Sequence, residues 1–263
     1  MDLGIAGRVA IVTGGSRGIG RAIAERLCRE GAHVALCARS RESLAEAQRG
    51  LEALGAGRIL SVEADLTEPA AAGRVVEAAA AAWGRIDILV NNAGAARGAP
   101  FDELTDERWL DNLQLKLFGY LRMTRLALPH LRRNGWGRVV NIAGLAGLQP
   151  SPLSMPLGLN NAGILNVMKA LADAEASHNI LVTTVCPGPI LTERQTRLLQ
   201  DAAQTKRITL EEAQREATSA IPLRRMGRPE EVADVVAFLA SERASYVTGS
   251  MVLVEGGLYR AMV

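Results

Sequence analysis

The sequence predicts an α/β fold, a doubly wound parallel sheet of about seven strands with helices on both faces. Three observations carry this expectation. Short apolar runs alternate with helix-length segments along the chain. The runs are continuously apolar, as in strands covered on both faces, rather than alternating as in strands with one wet face. A glycine-rich turn joins the first run to the first helical segment.

The strand candidates are residues 8–13, 33–38, 59–64, 86–91, 138–142, 181–186 and 250–254. Helical segments at 20–30, 41–54 and 69–83 separate the first four, which makes βαβ units. The Ala run at 78–82 reads as a tightly packed helix. No stretch has the composition of a linker, so residues 1–263 are expected to form a single domain. The polar, helix-prone segment 191–222 breaks the rhythm. Within it Thr209 and Glu212 have capping-box spacing, and beyond it Pro229 suits the first position of another helix. An excursion from the carboxyl edge of such a sheet is expected to act as a lid.

Charge narrows the function classes. Thirty basic against 28 acidic residues leave a formal charge of +2, too weak for nucleic acid or an anionic membrane. No apolar run reaches about 18 residues, so no membrane span is expected. Cys28, Cys37 and Cys186 have unrelated spacings, which argues against a disulfide framework or a metal site. With no signal-peptide pattern at Met1-Asp2-Leu3-Gly4, a cytoplasmic location is expected.

The strongest local signal is Thr13-Gly14-Gly15-Ser16-Arg17-Gly18-Ile19-Gly20. Its glycines let backbone approach a pyrophosphate, and the helix that follows offers free N–H groups and a positive dipole end. Strand, turn and helix together give a Rossmann-type unit. The spacing Gly-x-x-x-Gly-x-Gly resembles the short-chain dehydrogenase/reductase family. Asp65-Leu66, Asn91-Asn92-Ala93-Gly94, Pro187-Gly188-Pro189-Ile190-Leu191-Thr192, Tyr246-Val247-Thr248-Gly249 and Glu255-Gly256-Gly257 match further family motifs in order over nearly the whole chain. The resemblance implies a dinucleotide held by Gly14, Ser16, Arg17, Gly18, Ile19, Gly20, Asp65, Leu66, Asn91, Ala93, Gly94, Pro187, Gly188, Ile190 and Thr192. An acid at the end of the second strand would repel a ribose phosphate, but Ala38 stands there. Arg17 and Arg39 have the reach to bind that phosphate, so NADP(H) is the expected cofactor.

The resemblance fails at the catalytic positions. The family's Tyr-x-x-x-Lys-Ala-Gly falls on Leu157-Gly158-Leu159-Asn160-Asn161-Ala162-Gly163, which puts Leu157 for the Tyr and Asn161 for the Lys. The family's Ser falls on Gly144 and its upstream Asn on Lys116. A general acid contributes roughly 10²–10⁴ in rate and an oxyanion donor roughly 10²–10³, so ordinary ketone reduction is expected to be poor. An activated alkene or imine would suffer less.

Lys116 and Asn161 are the candidate catalytic residues. Lys116 is one of three lysines, at a position the resemblance puts on the floor of the active site. It has four possible site roles: stabilising an enolate or oxyanion, acting as a base, forming an imine, or holding the nicotinamide ribose. It would otherwise reach solvent or pair with Asp111. Tyr120 shares its helix face and is expected to pack in an interface. Asn161 is a candidate ribose ligand. His178 reads as a helix-end residue, Cys186 as a small buried one, and Ser151 and Ser154 as turn formers between prolines. Leu148, Leu153, Met155, Leu157 and Leu159 would line an apolar substrate pocket or belong to the core. The expected function is an NADP(H)-binding oxidoreductase with an altered active site and a small-molecule substrate. A non-redox lyase, isomerase or hydrolase using Lys116 is one alternative, and a non-catalytic NADP(H)-sensing or assembly subunit is the other. The resemblance also implies a homotetramer built through the helix of Tyr120, the helix after Asn161 and the last strand.

Overall fold

The computed structural model describes residues 1–94 and 98–261. Seven parallel strands form one sheet in the order β3-β2-β1-β4-β5-β6-β7. They are β1 (Val9–Thr13), β2 (His33–Ala38), β3 (Ile59–Glu63), β4 (Ile88–Asn91), β5 (Gly137–Ile142), β6 (Ile180–Pro187) and β7 (Met251–Val254). Every expected strand is present, with ends that move by one or two residues. Buried hydrogen bonds rather than composition set such ends. Val9 N–H, for example, donates to the buried Asp87 carboxylate at 2.9 Å.

The helices are α1 (Gly18–Arg29), α2 (Arg41–Glu52), α3 (Ala71–Trp83), α4 (Asp106–Leu113), α5 (Gly119–Asn134), α6 (Met155–Glu175), α7 (Glu193–Lys206), α8 (Leu210–Thr218) and α9 (Pro229–Leu239). Side chains alternate across a strand, so β1 feeds two cores. Ala10 and Val12 pack with Ile23 and Leu27 of α1 and Val232 and Val236 of α9. Ile11 packs with Val75 of α3, Met123 of α5 and Ile164 of α6. This two-sided burial explains the uninterrupted apolar runs. The capping box at Thr209 forms in full, and Pro229 opens α9.

The chain winds outward both ways from β1 and β4, whose adjacent carboxyl ends leave a crevice where the order reverses. Among the described residues no helix is long and apolar enough to cross a membrane.

Candidate active site

A cavity of about 1050 Å³ opens at this crevice. One wall is the glycine turn. Gly14 has φ +65°, a left-handed conformation that disfavours a side chain. A Cβ on Gly20 would lie 2.2 Å from the Gly14 carbonyl oxygen and 2.4 Å from Asn92 Nδ2, so only glycine lets the helix start this close to the turn. Arg17 caps α1 through extended backbone with no side-chain hydrogen bond. The first-turn N–H groups therefore have no capping side chain, at an end of α1 whose Gly18, Ile19 and Gly20 line the cavity.

Hydrogen bonds fix the turn to the segment after β4. Thr13 Oγ1 accepts from Asn92 N and Ala93 N at 2.9 and 3.0 Å, while Asn92 Nδ2 donates to the Thr13 carbonyl at 2.9 Å. Asn92, Ala93 and Gly94 line the cavity. Asn91 is not part of that lining. It points to the opposite face of β4 and donates from Nδ2 to Thr124 Oγ1 at 3.0 Å and to Asn141 Oδ1 at 2.9 Å. Asn91 ends β4 and Asn92 follows it, so their side chains point opposite ways, and only the register decides which one meets the cavity.

Arg39 and Asp65 sit apart, in a second cavity of about 430 Å³ with Glu63, Glu68 and Arg74. Asp65 accepts from Thr67 N and Thr67 Oγ1 at 3.0 and 2.8 Å. Burial raises its pKa, but those bonds and the nearby Arg39 guanidinium outweigh burial and hold the carboxyl below its ordinary value. Ser16 and Leu66 line neither cavity; Leu66 is buried against Gly119.

The floor is built by Lys116. It sits in a π-helical turn (Gln114–Phe118) between α4 and α5, a local widening that recurs at functional sites. Its side chain is 7% exposed, and Nζ donates to the Ala143 carbonyl at 2.8 Å. Burial pulls its pKa from 10.5 down to about 8; Cys186 acts against this shift and Arg194 adds to it. The expected alternatives for Lys116 do not hold: it does not reach freely into solvent, and no described carboxylate forms an ion pair with it.

Tyr120 corrects another expectation. It is 1% exposed inside the subunit, donates to the Ile142 carbonyl at 3.0 Å, and takes no part in a surface. Burial pushes its phenol further up. Tyr246 is fully exposed, and Tyr259 follows the cavity-lining Leu258 without lining the cavity itself, so none of the three tyrosines lines it.

Leu157 and Asn161, one turn apart on α6, face the floor, with Gly144 opposite. Asn161 is fully buried, and neither Nδ2 nor Oδ1 has a hydrogen-bond partner among the described residues. A Cβ on Gly144 would lie 2.9 Å from Asn161 Nδ2. The neighbouring Asn160 plays a different part, tying α6 down through Asn112 and Pro156 carbonyls at 3.1 and 2.9 Å. Across the cavity, Pro187 ends β6 and Gly188 and Ile190 follow it, and the first two turns of α7 add Glu193, Arg194, Arg197 and Leu198. Thr192 caps that helix by accepting from Gln195 N at 3.3 Å. Asn92, Arg194 and Leu198 went unread in the sequence. Only the helical spacing after the Thr192 cap hinted that Arg194 and Leu198 share a face.

Residues 14–259 match the family model described as enoyl-(acyl carrier protein) reductase. The chain is 34% identical over 252 residues to a 3-oxoacyl-(acyl-carrier-protein) reductase of Thermotoga maritima, covering 96% of this chain and 98% of the relative. It is 36% identical over 253 residues to the enzyme of that name from Escherichia coli, again covering 96% and 98%. The L-sorbose reductase of Gluconobacter frateurii, solved with NADPH and L-sorbose, has a TM-score of 0.96 at 35% identity over the whole of both chains. An actinorhodin polyketide ketoreductase solved with NADPH has a TM-score of 0.91 at 35% identity, covering 96% of this chain and 97% of that one. With this match running from the glycine turn almost to the end of the chain, the protein belongs to the short-chain dehydrogenase/reductase family of oxidoreductases.

Proposed function

We propose that the protein is an NADP(H)-dependent oxidoreductase whose altered active site uses Lys116, not a tyrosine, to manage charge on a small-molecule substrate. One observation carries the reading: a buried ammonium stands on the cavity floor, and no tyrosine lines the cavity.

The cradle fits the cofactor. Gly14 and Gly20 leave space that a Cβ would fill, and the unfilled N–H groups of Gly18, Ile19 and Gly20 suit a pyrophosphate beside Ser16 and Arg17. Arg39 suits the ribose phosphate, with Asp65 and Leu66 at the adenine end. Ala93, Gly94, Pro187, Gly188, Ile190 and Thr192 border the nicotinamide end, and Asn91 supports that wall from behind. The bound dinucleotide supplies hydride.

The residues of the chain do the rest. Lys116 holds positive charge where a substrate oxygen gains negative charge, and Ala143 fixes the ammonium in place. Asn161 offers an uncommitted donor and acceptor beside it. Leu157 and Leu198 exclude water. α7 and α8 form a lid whose first turn touches the cavity. The exposed Leu110, Leu159 and Val167 on α4 and α6 support a homotetramer. Three free cysteines suit a reducing cytoplasm.

The test is NADPH consumption with a simple ketone, a conjugated enone and a cyclic imine. The activated acceptors are expected to react, and Lys116→Met to lose roughly 10²–10³ of that rate. Equal rates in the variant would refute the role of Lys116. The lowered pKa of the Lys116 amine favours one second reading, a non-redox lyase that forms an imine. Borohydride trapping of a carbonyl ligand on Lys116 would support it.

A further inference from the structure

We infer that the substrate is an α-oxo acid or the corresponding α-hydroxy acid, bound with its carboxylate on Lys116 and Asn161. This rests on the reading above and names the substrate class of that same cavity.

The Lys116 ammonium is buried without a described carboxylate partner. A buried ammonium is costly unless a negative group meets it. Among the described residues the one hydrogen-bond partner of Lys116 is a neutral carbonyl, and an ammonium has three donors, so two remain. Among the cavity's other cations, Arg17 flanks the pyrophosphate site and Arg197 lies 3.8 Å from the exposed Glu193, so the Lys116 ammonium is the charge a substrate meets. A ligand that brings its own negative charge completes this arrangement.

Asn161 narrows the class. Its amide is fully buried and has no partner among the described residues, and a buried polar group left unpaired is destabilising unless a ligand satisfies it. Lys116 is anchored on Ala143 and Asn161 lies against Gly144, so the two donors stand at consecutive backbone positions. A carboxylate offers one oxygen to each. An oxygen on the adjacent carbon reaches the remaining ammonium donor, which selects an α-oxo or α-hydroxy acid over an acid whose carboxylate is remote. The hydroxyl of the α-hydroxy acid can donate to Asn161 Oδ1.

The probes are pyruvate and methyl pyruvate, which differ by one negative charge. Each is titrated calorimetrically into the protein saturated with NADP⁺, and again without cofactor. Wild type is expected to bind pyruvate about 10- to 100-fold more tightly than the ester. Lys116→Met is expected to abolish that preference and leave NADPH affinity unchanged, and Lys116→Arg to keep part of it. Equal binding of acid and ester, or binding of neither, overturns the inference. So does a Lys116→Met variant that loses NADPH affinity and keeps the preference, since Lys116 would then serve the cofactor. Failure to bind NADPH sinks the cofactor reading instead, and the cofactor-free titrations still decide the substrate class.

Discussion

The Lys116 ammonium lies 2.8 Å from the carbonyl oxygen of Ala143, the residue that follows β5. One helical turn further on, the Tyr120 hydroxyl donates to the preceding carbonyl, that of Ile142. Two buried donors therefore hold two consecutive carbonyls at the carboxyl end of the sheet. Sheet and helix fix the position of the ammonium, so the charge is in place before any ligand arrives.

The first prediction concerns pH. Lys116 has a folded pKa of about 8 against 10.5 for an ordinary lysine. Below about pH 8 both folded and unfolded chains carry the proton, and folding bears the whole cost of burying it. Between about 8 and 10.5 the unfolded chain binds the extra proton, so stability rises with pH across that window. Lys116→Met is therefore expected to be about 2–3 kcal/mol more stable than wild type near pH 7, with the gap largely closed near pH 10. Urea unfolding of both proteins at the two pH values checks this; a gap that does not change with pH would refute the burial of a charged ammonium.

Asn161 gives the second. Its amide makes no hydrogen bond within the described protein, so Asn161→Leu removes two unsatisfied buried atoms without breaking a contact. Stability is expected to hold or rise by about 1 kcal/mol, while ligand affinity falls about tenfold. Thermal unfolding and titration of the variant measure both. A loss of more than about 2 kcal/mol would mean that the amide serves the fold.

The third follows from Gly144. A Cβ there falls 2.9 Å from Asn161 Nδ2, closer than side chains pack. Gly144→Ser is expected to cost about 1–2 kcal/mol, and Asn161→Ala in the same chain to recover at least about half of it. Additive losses in the double-mutant cycle would show that the two positions do not crowd each other.

Some of this was readable in the sequence and some was not. The seven strands could be read because both faces of the sheet are buried, which leaves mostly apolar, fully buried runs at β1, β5 and β6. The glycine turn announced itself by spacing. Asn91 and Asn92 could not be told apart, since strand register alone sends one to Thr124 and the other to the cavity. Tyr120 was misread because its carbonyl partner comes from β5, distant in sequence. The unpartnered amide of Asn161 was equally invisible, because it depends on which groups the fold keeps away from it.

The most direct test of the account is a calorimetric titration of the purified protein with NADPH and then NADH. Arg39 is the residue proposed for a ribose phosphate, and Ala38 rather than an acid ends β2. NADPH is expected to bind at least about tenfold more tightly than NADH, with Arg39→Ala erasing most of the difference. Binding of neither dinucleotide would contradict the account and move the search to cofactor-free chemistry at Lys116.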